Sequence, residues 1–181
     1  MHSLTSKSKR LAGALALTAL AAIALFATQV APSAAATASR APAACSNSKL
    51  VIWFAEMPGD GTAGSIFYKL AFTNLGSSTC SLKGYPQITA ANLGGGKVGS
   101  DATQESGTPV KSVTLKSGDS AYATLRIAEA GNYSPSTCKP VMAAGLRVKA
   151  PGNGGPKLVP FPFEACSRNG HTNLSVRAVE G

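Results

Sequence analysis

Histidine is nearly absent from this chain, with two in 181 residues, and aspartate and glutamate together number only eight. General acid–base catalysis and metal ligation draw mainly on those residue types. Their scarcity argues against most enzyme and metalloprotein classes, and no cofactor is expected. Tryptophan occurs once, and aromatic residues make up 6% of the chain. Beyond residue 45 no segment has a sustained 3.6-residue hydrophobic period, and none approaches the ~20 apolar residues of a spanning helix. A helical bundle and a membrane span in the body of the chain are thereby excluded. What is plentiful is glycine (19), proline (11) and lysine plus arginine (17), the last giving a formal net charge of +9.

Part of that charge sits at the start. Lys7, Lys9 and Arg10 precede an apolar run from Leu11 to Phe26, and Ala34-Ala35-Ala36 supplies a small-x-small cleavage pattern. Residues 1–36 read as a secretory signal peptide, cut after Ala36 or after Ala38. Pro42-Ala43-Ala44-Cys45 departs from a lipoprotein signal, because Pro42 stands where an aliphatic residue belongs. Residues 37–44 read as a flexible Ala/Pro/Ser-rich tether and residues 45–181 as one folded domain. Removing residues 1–36 takes three cations with it, which lowers the charge from +9 to +6. Export places the protein outside the cytoplasm, secreted or associated with the cell wall, and removes ATP, NAD and nucleic acid from its ordinary ligands.

The mature chain alternates short apolar runs with Gly/Pro/Asn/Asp turns. Residues 49–56 are rich in β-branched and aromatic side chains. In 65–75, Ile66, Tyr68, Leu70 and Phe72 share one face, with Lys69 and Thr73 on the other. Residues 88–93 and 98–102 flank Gly94-Gly95-Gly96, residues 110–115 and 120–128 flank Lys116-Ser117-Gly118-Asp119, and residues 141–150 and 157–165 flank a turn at 151–155. Leu174 to Val179 closes the chain. About eight or nine strands predict an all-β fold, an immunoglobulin-like two-sheet sandwich.

All four cysteines, Cys45, Cys80, Cys138 and Cys166, fall in the exported part, at separations of 28 residues or more. Zinc sites want close pairs and more histidine, so two disulfides are expected. Four cysteines allow three pairings. The hairpin of 49–56 and 65–75 brings Cys45 toward Cys80, and that of 141–150 and 157–165 brings Cys138 toward Cys166.

Several motifs touch on chemistry without completing it. Gly118-Asp119-Ser120 opens like an esterase nucleophile motif, but the only mature histidine, His171, has Arg168 rather than an aspartate three residues before it. Ser46-Asn47-Ser48-Lys49 is a Ser-x-x-Lys without its partner motifs. Gly94-Gly95-Gly96-Lys97 is followed by Val98, not by the Ser or Thr of a phosphate-binding loop. Glu56 and Asp60 form a close acidic pair at a strand end and its turn. No catalytic, cofactor-binding or metal site is expected.

Cys45 with Leu50, then Ala63-Gly64-Ser65 leading into Leu70-Ala71-Phe72-Thr73-Asn74, then the block Cys80-Ser81-Leu82-Lys83-Gly84-Tyr85-Pro86, and then Leu115 to Gly118 with Ser120-Ala121, together resemble the exported actinobacterial family called domain of unknown function 4232. The resemblance spans about residues 45–180. It implies a secreted or cell-envelope β-sandwich and brings no catalytic residue, cofactor or ligand. The expected function is that of a non-catalytic binding or accessory module outside the cell. The alternatives are a secreted hydrolase with an unrecognised site and a binder or inhibitor of an extracellular protein. Charge alone points to a partner: if Lys83, Lys97, Lys111, Lys116, Arg147 and Lys149 gather on one face, they form a contact for an anionic cell-wall polymer.

Overall fold

A computed structural model describes residues 40–56, 61 and 63–181. The expected signal peptide, the start of the tether and the turn at Pro58–Asp60, with the carboxylate pair it would complete, lie outside the described residues. Eleven strands follow one another: β1 (Leu50–Glu56), β2 (Ser65–Asn74), β3 (Cys80–Lys83), β4 (Gln87–Ala91), β5 (Lys97–Val98), β6 (Thr103–Gln104), β7 (Ser112–Leu115), β8 (Ser120–Ala128), β9 (Pro140–Lys149), β10 (Lys157–Cys166) and β11 (Leu174–Val176). A short helix, α1 (Pro135–Cys138), precedes β9. Ser134 caps it by accepting a hydrogen bond from the Thr137 N–H, and Pro135 fits the first turn, where its missing N–H costs nothing.

The fold is an all-β sandwich. One sheet has the order β1-β2-β8-β11-β6, the second β10-β9-β4-β5, and β3 with β7 forms a separate ribbon. Alternation explains which residues face inward. Leu70 and Phe72 of β2 sit opposite Ala123 and Ala121 of β8, and all four are fully buried. Ile88 and Ala90 of β4 pair with Val148 and Leu146 of β9, and these side chains meet the first sheet in a single core. Burial of this apolar face drives the two sheets together at roughly 25 cal/mol per Å² removed from water.

Cys45 is bonded to Cys80 and Cys138 to Cys166, the pairing expected from the hairpins. The local cause is more specific than hairpin ends. Residues 43–45 run parallel to β3, with Cys45 N–H donating to Ser81 O and Ser81 N–H to Ala43 O, both at 2.9 Å. At the other end Cys138 terminates α1, and the Ser167 N–H donates to its carbonyl at 3.0 Å, beside the end of β10.

The expected strand at 98–102 divides. β5 ends at Val98, and Gly99 turns through φ +67°, packed so tightly that a Cβ there would lie 2.1 Å from Cys166 O. After this bend the chain crosses to the other sheet, where β6 pairs in parallel with β11. The expected last strand also stops early, at Val176, and rejoins the sheet at Glu180 through a bridge to Tyr122. The turn at 116–119 joins two sheets rather than closing a hairpin, because β7 pairs with β3 and β8 with β2.

Three buried asparagines hold the loops. Asn47 donates to Gly155 O and accepts from the Ala150 N–H, Asn74 donates to Ser78 O and Leu115 O, and Asn173 links the two sheets by donating to Ala128 O and Glu164 O. Each satisfies backbone groups that turns leave unpaired. No helix of the described residues is long and apolar enough to cross a membrane.

Candidate functional site

The outer face of the second sheet carries the cations, and strand register is the reason. Ile88 and Ala90 point into the core, so Gln87 and Thr89 point out; Leu146 and Val148 point in, so Arg147 and Lys149 point out. The antiparallel pairing sets Gln87 directly opposite Lys149 and Thr89 opposite Arg147. The β4–β5 hairpin adds Lys97, opposite Ala91. Lys97, Arg147 and Lys149 thus line one shallow groove of about 220 Å³, with Gln87, Thr89 and the Gly154-Gly155-Pro156 turn as its remaining wall.

A carboxylate stands beside the groove, bonded to three of the residues that line it. After the bend at Gly99 the Ala102 N–H donates to Ile88 O at 2.7 Å, which lays Asp101 along β4. Asp101 pairs with the Lys97 ammonium at 2.8 Å and accepts from Gln87 Nε2 at 2.7 Å and from the Thr89 hydroxyl. Burial on its own would push the Asp101 carboxyl up. Hydrogen bonds from Lys97, Thr89 and Gln87, with the positive charge of Lys97, outweigh it and hold the carboxyl below its usual range. Arg147 is fixed by donating from Nη1 to Gly95 O at the hairpin tip, where Gly95 takes φ +75°. The Lys149 ammonium has no hydrogen bond or ion pair among the described residues. Three cations against one carboxylate leave the groove a net charge of +2.

The other three basic residues stand elsewhere. Lys83 is exposed on the β3–β7 ribbon opposite Ser112, next to Lys111. Lys111 borders a different groove, of about 460 Å³, together with Val113, Val179 and Glu180. Lys116 lies in the turn before β8, where its backbone N–H donates to Asp119 Oδ2 at 2.9 Å. The six expected contacts therefore divide, three into one groove and three outside it. Asp101, Gln87 and Thr89 complete the groove without having been singled out from sequence. The available signals were the alternation of Gln87 with Thr89 and the four-residue spacing from Lys97 to Asp101, and neither is distinctive before the bend at Gly99 is known.

Ser120 and His171, the residues of the incomplete esterase pattern, do not meet. Ser120 opens β8 and shares a 2.7 Å hydrogen bond with the Thr73 hydroxyl. His171 is exposed in the loop before β11, whose Leu174 pairs with Ile127 at the far end of β8, roughly 23 Å of strand away from Ser120. Among the described residues no group of three or more His, Cys, Asp or Glu side chains is placed to hold a metal ion.

The chain belongs to the family described as domain of unknown function (DUF4232), which matches residues 45–180. No curated protein and no solved structure matches it.

Proposed function

We propose that this member of the DUF4232 family is a non-catalytic domain, exported to the cell envelope or beyond, that binds an anionic envelope polymer through the groove of Lys97, Arg147 and Lys149. One observation carries the reading: strand register brings three cations to one concave strip with only Asp101 to offset them. Two disulfides fit an oxidising compartment. The distance between Ser120 and His171 supports a binding role over hydrolysis, since a serine nucleophile needs a base within hydrogen-bond reach.

Attraction of this kind is long-ranged and screened by salt, the Debye length falling from ~10 Å at 0.1 M to ~3 Å at 1 M. The test is sedimentation with purified cell wall across a salt series. Retention should fall as salt rises, and a variant with Lys97, Arg147 and Lys149 all changed to Gln should bind about tenfold more weakly, at a few tenths to 1 kcal/mol for each exposed charge. Salt-independent retention, or an equal loss of retention in a variant with Lys83, Lys111 and Lys116 changed to Gln, counts against the groove.

A further inference from the structure

The groove has an internal periodicity that narrows its ligand. Arg147 and Lys149 are alternate residues of β9, so their outward side chains spring from points about 6.6 Å apart along the strand. Each has a neutral polar partner directly across β4, Thr89 beside Arg147 and Gln87 beside Lys149. The site is therefore two rungs, each a cation with a hydrogen-bonding side chain opposite.

Two more features bear on the ligand. Leu158 of β10 lies directly opposite Arg147 on the same face and is 49% exposed, while Pro156 lines the groove beside the Lys149 rung. Apolar side chains thus lie on the β10 side of the cation-bearing strand. Moreover, the donors on the β4 side are already engaged by an anion, because Asp101 takes up Lys97, Gln87 and Thr89 together. Asp101 stands where an external carboxylate or phosphate would bind those donors, and it neutralises one of the three cations.

We infer that the groove binds a ligand with two anionic groups joined by a short carbon spacer, one group at Arg147 and one at Lys149, and that Asp101 is an internal competitor for the Lys97 end. The inference rests on the anionic-ligand reading above and adds a valence, a spacing and a restraint. The net charge of +2 matches a doubly charged segment, whether part of a polymer or a small free molecule. Linking the anions makes the second contact intramolecular, so two weak contacts reinforce each other.

The experiment is an NMR titration of the mature protein with an alkane α,ω-bisphosphonate ladder having one, four or eight methylenes between the phosphonates, and with methylphosphonate as the single-charge control. The four-carbon member should bind about fivefold more tightly than methylphosphonate and more tightly than the one- and eight-carbon members, with shifts centred on residues 147–149. Arg147→Gln and Lys149→Gln should each remove the spacing preference. Asp101→Asn should strengthen binding about threefold, whereas a purely structural role for Asp101 predicts weakening.

Equal binding across the ladder, or a preference that survives Arg147→Gln, overturns the two-rung site. If the wild type still sediments with cell wall in a salt-dependent way, the broader reading stands and only the spacing inference falls. If neither the ladder nor cell wall binds, both fall. A long free polymer as the natural ligand is distinguished from a small dianion by whether cell wall competes with the four-carbon probe at equal phosphate.

Discussion

Trp53 donates its indole N–H to the hydroxyl of Thr73, 3.0 Å away on the neighbouring strand. Thr73 in turn shares its hydroxyl with Ser120 of β8, so one relay crosses three strands on the outer face of the first sheet. Trp53 sits opposite Ala71, which itself sits opposite Tyr122, and Ala71 is fully buried although its Cβ points outward. The flanking rings cover it. Lys69 adds its ammonium 4.7 Å from the Tyr122 ring centre, a cation–π contact.

Because Trp53 is the only tryptophan, its fluorescence reports on this relay alone. Thr73→Val removes the acceptor and keeps the shape. The emission should shift to longer wavelength and acrylamide quenching should increase, with a stability loss of about 1 kcal/mol or less for a half-exposed hydrogen bond. An unchanged spectrum would mean that packing on Ala71, not the hydrogen bond, holds the ring.

Asn173 should be the costliest polar side chain to remove. Its Oδ1 accepts from the Cys166 N–H at 3.0 Å while its Nδ2 donates to Ala128 O at 2.8 Å and Glu164 O at 3.0 Å, so it ties β8 of one sheet to β10 of the other. Asn173→Ala leaves those buried groups without partners and should lower stability by about 2–4 kcal/mol in urea melts. Thr172→Ala, next to it but without those bonds, should cost far less.

The two disulfides close loops of 35 and 28 residues. In the chain-entropy account each contributes about 3–4 kcal/mol by restricting the unfolded chain. Replacing Cys45 and Cys80 together by Ser, or Cys138 and Cys166 together, should lower the denaturation midpoint by comparable amounts. A much smaller loss for either pair would show that neighbouring backbone bonds, such as Cys45 to Ser81, hold that junction without the crosslink.

Asp101 makes the fold sensitive to acid. Its carboxyl is held below the value it would have in the unfolded chain, ~3.9, so its contribution is present above that pH and is lost as pH falls through the lower folded value. Wild type and Asp101→Asn should therefore differ in stability at pH 7 and converge by about pH 2. Parallel curves throughout would mean that the bonds from Gln87 and Thr89 serve the neutral amide equally well.

Much of this was legible in the chain because it rests on local physics. Period-two alternation in Tyr68, Leu70 and Phe72, and in Ala121, Ala123 and Leu125, assigns those strands and their buried faces without knowledge of any partner. Disulfide pairing followed from turns short enough to fix which strand ends lie together. Strand partnership did not follow so easily. A four-residue turn such as 116–119 serves equally to close a hairpin or to pass between sheets, and only the competition of β3 for β7 and of β2 for β8 decides between them. The short strands β3 and β6 carry too few residues to show a period, and they exist because a neighbour's backbone is waiting for them.

The groove divides along the same line. Arg147 and Lys149 share a face by sequence alone, since they are two residues apart on one strand. Their union with Lys97, and the entry of Asp101 among them, depend on the register of β4 against β9 and on the bend at Gly99. Scattered single charges acquire a common location only through long-range backbone pairing, so composition could count the cations while tertiary structure alone chose which three would meet.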